Sequence, residues 1–160
     1  MKALTLTQPW ASLVALRAKH IETRSWATAY RGRIAIHAGV GLGPVGGVAG
    51  LSALCAEEPF WSVLVPYRTT PLPRGVILAL ATLCDVRLIA PNSERYGVHM
   101  PDGDRMWDLT AQERAFGDYS PGRYAWLLSD IRPLKTPIPA KGALGLWALP
   151  PEVAAHLEAP

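Results

Sequence analysis

The sequence lacks the residue patterns that metal sites and disulfide scaffolds require. Its two cysteines, Cys55 and Cys84, are far apart and have apolar neighbours, which is typical of small buried residues in a reducing compartment. Neither a Cys-x-x-Cys nor a His-x-x-x-His pair occurs, so no residues have the spacing of metal ligands. We therefore predict neither a metal nor a cofactor.

Long apolar runs and dense charge are also missing. No segment approaches the roughly 18–20 apolar residues that cross a bilayer, and the sequence opens without the pattern of a secretion signal. A cytoplasmic protein with no membrane partner is expected. The 16 basic and 13 acidic residues give a net charge of +3. This balance permits contacts with phosphates but excludes the dense positive surface of a duplex-binding protein. Capture of one or a few nucleotides is favoured over a long RNA footprint.

What is present is enough apolar sequence for one core. Hydrophobic residues make up 49% of the 160, so we expect a single domain over residues 1–160. Short strands interrupted by small helices indicate an α+β domain with a curled sheet or small barrel. The apolar periodicity predicts strands at 3–7, 21–26, 32–38, 75–88, 123–131 and 144–149, with helices at 10–18, at 48–57 and from about residue 151.

Residues 91–122 form the longest polar segment of the sequence and are predicted to be a loop. At about thirty residues this segment exceeds an ordinary connection, and loops of that length are usually functional or mobile. Within it, an Asp or Thr that precedes Glu113 could cap a helical turn. The proline-rich stretch 133–139 is predicted to be a second connection, leading to the last strand.

Polar, charged and aromatic side chains are concentrated between residues 8 and 26. Such a set suits a pocket for a flat, hydrogen-bonding ligand such as a nucleobase. On a strand, Glu22 and Arg24 share one face and could orient Lys19 or contact the ligand. The alternatives are an ion pair that closes the barrel end, a solvated lysine at a helix terminus, and tryptophans that serve only as core. The candidates are Gln8, Trp10, Lys19, Glu22, Arg24 and Trp26.

Three further residues are candidates outside this segment. His37 ends an apolar strand and could line the same cleft, although a strand histidine is more often structural. Arg123 follows the long polar segment and could contact a phosphate or a carboxylate. Glu113 lies within that segment and is a candidate proton carrier.

The order of short motifs resembles that of ASCH domains, which are small barrels similar to PUA RNA-binding domains. The matching segments are residues 8–12 (QPWAS), the pattern Lys19-x-x-Glu22-x-Arg24, and residues 32–38 (GRIAIHA), followed by 75–86, 116–126 and 137–147. The correspondence extends from about residue 3 to about residue 149. It implies a PUA-like β-barrel with short flanking helices and a cleft beside the first helix.

The resemblance also implies two activities. One small bacterial branch of the family hydrolyses N4-acetylcytidine with a lysine, a threonine three residues later and a distant glutamate, and RNA cleavage is the other activity. Lys19 matches the lysine, but Glu22 occupies the threonine position, and Arg17 stands where a glycine is usual. The distant glutamate would be Glu113 or else Glu94.

The sequence thus predicts a nucleic-acid or modified-nucleotide binding domain, with single-stranded RNA or a modified nucleoside as its partner. A first alternative is a hydrolase, either an amidohydrolase or a ribonuclease, with Lys19, Glu22 and Glu113 as catalytic residues. A second alternative is an interaction domain without a ligand. The expected ligand-binding residues are Gln8, Trp10, Arg24, Trp26, His37 and Arg123.

Overall fold

The computed structural model describes residues 1–43, 45–91, 98–99, 106–107 and 109–158. The strands are β1 (Lys2–Leu6), β2 (Ile21–Arg24), β3 (Gly32–Ala38), β4 (Val76–Leu88), β5 (Val98–His99), β6 (Met106–Trp107), β7 (Tyr124–Pro139) and β8 (Leu146–Ala148). The helices are α1 (Trp10–Ala15), α2 (Gly47–Ala56), α3 (Phe60–Val63), α4 (Ala111–Ala115) and α5 (Pro151–Glu158), with a 3-10 turn at Val65–Tyr67.

Six strands form one sheet in the order β2-β7-β4-β3-β1-β8, which curls into a half-barrel flanked by short helices. The strands β1 and β3 are parallel, and the other pairs in this sheet are antiparallel. Helix α1 fills the concave face, where Ala11 and Val14 join a buried apolar cluster with Leu4, Ile36 and Trp126. The fold is the predicted α+β, PUA-like architecture.

The strand β7 is longer than predicted. It runs through the proline-rich stretch 133–139, which was expected to be a connection, and stays paired with β4 across several register shifts. Its other neighbour, β2, pairs only with residues 124–127. The Leu128 N–H still donates to the His20 carbonyl, but past that point no described strand pairs with this edge of β7. An edge tolerates proline because no ladder donor is lost there.

The predicted loop 91–122 also contains regular structure. Besides the short β5–β6 pair, it contains helix α4, whose first turn is capped by Thr110, since the Thr110 hydroxyl accepts the Glu113 N–H at 3.1 Å. The expected cap is therefore confirmed. Thr110 and Glu113 have the spacing of a capping box, which was the available sequence signal for this helix.

Helix α1 ends earlier than predicted, at Ala15 rather than Ala18. Arg17 adopts a left-handed backbone, with φ of 60°, and the N–H groups of Ala18 and Lys19 both donate to the Leu13 carbonyl. A left-handed residue just past a helix is ordinarily glycine. This left-handed backbone explains why the family resemblance leads one to expect a glycine at position 17. Arg17 has a Cβ atom and is therefore strained in this conformation, whereas a glycine would not be.

Two substitutions of Arg17 should separate this strain from the side chain's hydrogen bond. The Arg17 Nε donates to the Ile131 carbonyl at 3.0 Å, and Arg17→Ala should lose about 1 kcal/mol with that bond. Arg17→Gly loses the same bond but removes a left-handed strain of about 1 kcal/mol, so its stability should stay near that of the wild type. Urea unfolding should rank glycine above alanine by about 1 kcal/mol. Equal midpoints for the two variants would contradict a strained Arg17.

Candidate functional site

The chain reversal at the end of α1 directs Lys19 into the protein interior. The Lys19 side chain is 0% exposed, which is rare for a lysine. Its Nζ donates to the Ile21 carbonyl and, at 2.8 Å, to the Phe116 carbonyl. Ile21 is the first residue of β2, and Phe116 directly follows α4. The ammonium therefore links the start of β2 to the segment that ends the long polar stretch.

Two carboxylates flank this ammonium. The Lys19 Nζ lies 3.7 Å from Glu22 Oε2 and 3.9 Å from Glu113 Oε1. Glu113 is itself anchored by backbone donors, because its two oxygens accept the N–H groups of His20 at 3.0 Å and of Ile21 at 3.1 Å. The structure thus brings together the three predicted catalytic residues Lys19, Glu22 and Glu113. A buried charge paired and hydrogen-bonded in this way holds three segments in one arrangement.

Glu22 and Arg24 lie on one face of β2, as the sequence predicts. Arg24 Nε is 3.2 Å from Glu22 Oε1, and an Arg24 Nη2 hydrogen bond of 2.7 Å reaches the Thr5 carbonyl on β1. This contact spans the gap between the two strands, which are not neighbours in the sheet. With 26% of its side chain exposed, Arg24 lies at the surface end of the buried cluster.

Aromatic rings line the same concave face. Glu22 is directly opposite Trp126 in the β2–β7 register, and Arg24 is opposite Tyr124. Trp26 is half-buried and packs edge-on against Trp126, with the ring centroids 4.6 Å apart. Glu22 pairs with Arg24 and lies opposite Trp126, against which Trp26 packs. We call the group Glu22, Arg24 and Trp26 the half-barrel mouth.

Burial dominates the electrostatics of this cluster. It lowers the pKa of the Lys19 ammonium, while Glu22 and Glu113 oppose that shift by favouring the charged form. Burial also raises the pKa of Tyr119 far above its ordinary value, and the Tyr119 hydroxyl donates to Glu113 Oε1 at 3.3 Å. Tyr119 is thus a neutral donor that helps to hold Glu113. No local sequence signal indicates this role, because Tyr119 stands in the turn-like segment Asp118-Tyr119-Ser120 and meets Glu113 only in the folded chain.

Gln8 and Trp10 are occupied by the protein itself. The Gln8 amide donates to the Pro73 carbonyl at 2.6 Å and accepts the Ser12 N–H at 3.2 Å, and its side chain is fully buried. Trp10 is half-buried against a second apolar cluster that includes Leu13 and Phe60. These contacts fix the segment that joins β1 to α1.

His37 lies under another hollow, whereas Arg123 contacts the backbone of β2 between Glu22 and Arg24. Arg123 pairs with Asp118, at 3.3 Å between Nε and Oδ2, and donates to the Thr23 carbonyl. His37 is buried under a different hollow, and its Nε2 lies 3.0 Å from the Ala140 carbonyl. Because a carbonyl only accepts, we assign the proton to Nε2. The Nδ1 atom lies 3.2 Å from the Thr5 hydroxyl, which donates its own proton to the Ala143 carbonyl at 3.0 Å.

His37 should make the protein sensitive to acid. Burial lowers the pKa of His37 below its ordinary value of 6.5, so below about pH 6.5 the unfolded chain binds a proton that the folded chain does not. This contribution to stability should therefore be present above about pH 6.5 and be lost as the pH falls below it, by at most about 1.4 kcal/mol per pH unit. Urea unfolding of His37→Gln should show a shallower slope, whereas the control His156→Gln, at an exposed site, should keep the wild-type slope. Identical slopes in all three proteins would contradict this role of His37.

The hypothesis of an open cleft around Lys19 needs one correction. The amine and the acid converge, but Lys19 has no solvent exposure, and only Glu22 and Arg24 reach the mouth. The expected alternative Glu94 lies outside the described residues. Among the described residues, no group of three or more His, Cys, Asp or Glu side chains is placed to hold a metal, and no helix is long and apolar enough to cross a bilayer.

Comparison with known proteins gives a family and a fold. The family profile described as ASCH domain matches residues 4–135. The crystal structure of ASCH from Zymomonas mobilis is similar with a TM-score of 0.52 and 18% identity, over 98% of this chain and 92% of that chain. A tyrosine-to-phenylalanine mutant of the same protein gives a TM-score of 0.52 and 17% identity, over 98% and 94%. No curated protein matches this chain.

Proposed function

Because this chain belongs to the ASCH domain family, we propose that it binds single-stranded RNA or a modified nucleotide at the mouth of the half-barrel. The proposed binding surface consists of Glu22, Arg24 and Trp26. It is narrower than the set expected from the sequence. Gln8 and Trp10 are engaged by neighbouring segments, His37 lines another hollow, and Arg123 is engaged by Asp118 and the Thr23 carbonyl.

The observation that carries this proposal is the support beneath Glu22 and Arg24. A buried ammonium with two carboxylates and two carbonyls is costly to assemble, and such clusters occur preferentially at functional sites. Here the cluster fixes the position of Glu22, and Glu22 in turn holds Arg24. A ligand at the mouth would therefore meet a carboxylate and a guanidinium with little freedom to move.

The chemistry of these groups matches a nucleotide. In the Arg24 guanidinium, Nη2 donates to the Thr5 carbonyl and Nε faces Glu22, which leaves further N–H groups for a ligand. A guanidinium suits a phosphate or the edge of a base. Trp26 offers a stacking surface, and a base stacked on an aromatic ring contributes roughly 1–3 kcal/mol. Bases are free to stack in this way only in single strands, which fits the modest net charge of +3 better than duplex binding does.

RNA titration tests the proposal. We expect Arg24→Gln and Trp26→Ala each to weaken binding of a single-stranded RNA of about ten nucleotides by about tenfold, measured by fluorescence anisotropy. Arg132→Gln is the matched control, because Arg132 is an exposed arginine on β7 of the same sheet and pairs with Asp130. Circular dichroism should show that each variant is folded. Wild-type affinity in both folded variants would refute the proposed surface.

A hydrolase is the second candidate, favoured by the convergence of Lys19 with Glu22 and Glu113. A lowered pKa suits a lysine that accepts a proton, and a neighbouring carboxylate could carry the proton onward. In the described part of the chain, however, Lys19 is fully buried and its Nζ is engaged by two carbonyls, so a substrate would have to displace them. An assay of N4-acetylcytidine hydrolysis with wild type and Glu22→Gln decides this: no turnover by the folded wild type removes the amidohydrolase.

A further inference from the structure

A hollow other than the one above His37 lies among α2, α3 and the segment 66–74. Its lining residues are not those of the half-barrel mouth. Its volume is about 370 Å³, which falls in the range of small-molecule sites, above roughly 300 Å³. The lining is mostly apolar, with two aromatic rings, Trp61 and Tyr67, and two guanidiniums, Arg68 and Arg74. No acidic side chain is among the described residues that line it. The charge of the hollow is therefore positive, and an anion complements it.

The wall formed by α2 is poorly covered by the rest of the protein. None of the residues of this helix is buried, none carries a charge, and Val48 is 71% exposed. A helix without charges usually owes its stability to an apolar partner. The Cys55 and Leu54 side chains touch the cluster around Phe60, but the remaining surface of α2 faces the hollow and the solvent. An occupant with an apolar body would cover this surface.

The aromatic and basic groups are already arranged for a flat ring. The Arg68 guanidinium stacks on Trp61 at 4.0 Å from the ring centroid and donates to the Trp61 carbonyl at 3.2 Å. Arg74 donates to the Val40 carbonyl at 3.3 Å, and each arginine keeps further N–H donors for an anion. The tryptophan ring offers a flat surface on which a base can stack, and the arginine beside it offers a positive charge for an anion.

We propose that this hollow binds a nucleotide-sized aromatic anion, with its ring against Trp61 and Tyr67 and its phosphate or carboxylate toward Arg68 and Arg74. This site is distinct from the one at the half-barrel mouth, and it does not depend on RNA binding there.

Calorimetric titration with the four nucleoside 5′-monophosphates tests this proposal. We expect binding that weakens by about tenfold in Trp61→Ala and in Arg74→Gln. Both residues are exposed, so both variants should fold. Arg132→Gln, which removes an exposed arginine on β7 that does not line the hollow, should bind as the wild type does.

The remaining outcomes overturn one proposal or the other. Weakening by Arg24→Gln but not by Trp61→Ala would mean that the monophosphates bind only at the half-barrel mouth, which sinks this inference and leaves the proposed function standing. Binding of octanoate without binding of any monophosphate would assign the hollow to aliphatic anions and would also refute this inference. The inference fails as well if neither octanoate nor any monophosphate binds. If the monophosphates bind as expected while Arg24→Gln leaves RNA affinity unchanged, only the proposed function fails.

Discussion

Replacement of Lys19 by methionine is expected to lower the free energy of unfolding by about 3–5 kcal/mol. Methionine preserves most of the buried volume but leaves the carboxylates of Glu22 and Glu113 without their shared cation. It also removes the donor to the Ile21 and Phe116 carbonyls. An uncompensated buried charge costs far more than an exposed ion pair contributes. Urea unfolding followed by circular dichroism measures the effect.

Two controls identify the cause of this loss. In the double variant Lys19→Met/Glu113→Gln one of the uncompensated charges is gone, so part of the lost stability should return. Arg132→Met breaks the exposed Arg132–Asp130 pair and should cost less than about 1 kcal/mol. A Lys19→Met protein as stable as the wild type would show that the ammonium does not hold the site together. Any activity lost in Lys19 variants must be judged against this loss of stability.

Replacement of Gly142 by alanine is expected to destabilise the protein by about 2–3 kcal/mol. A Cβ at this position would lie 2.5 Å from Cε1 and 2.7 Å from Nδ1 of His37, whose ring is buried. The ring cannot move away freely, because its two nitrogens contact Ala140 and Thr5 and its face meets the edge of Trp147. The added methyl group would therefore break contacts that connect β1, β3 and the segment before β8.

Gly41→Ala is the matched control for this substitution. Gly41 lines the hollow next to His37, and its Cβ would meet nothing within 4 Å. The control should be neutral or slightly stabilising, because alanine restricts the unfolded chain more than glycine does. Thermal or urea unfolding should therefore separate the two alanine variants clearly. If Gly142→Ala and Gly41→Ala have the same unfolding midpoint, the His37 ring is not packed closely against Gly142.

Much of the fold follows from local sequence patterns. The strand Gly32–Ala38 was predicted with its observed ends, and α2 and β4 were each predicted to within one residue, because their apolar periodicity is uninterrupted. The predicted bounds of β7 and α1 were wrong, because contacts with segments distant in the sequence determine where these two elements end. Prolines in β7 are tolerated because β2 is short, and α1 stops early because Arg17 turns left-handed.

The candidate site was predictable only in part. The alternation of a strand places Glu22 and Arg24 on one face, and this placement needs no knowledge of the rest of the chain. Glu113 could be named as a candidate, but nothing local indicates that it reaches the His20 and Ile21 N–H groups, ninety residues earlier in the chain. The hydrogen bonds of Gln8 and His37 depend equally on remote carbonyls, of Pro73 and Ala140.

The sequence by itself determined the α+β architecture and the ASCH family, and it indicated the segment of the candidate site, because periodicity, turn residues and motif order are local properties. The tertiary structure decided which of the named side chains are available to a ligand. Whether a polar group binds a ligand or supports the fold depends on whether remote backbone groups already satisfy its hydrogen bonds. Gln8 and Lys19 are satisfied in this way, whereas Arg24 and Trp26 remain partly open at the half-barrel mouth.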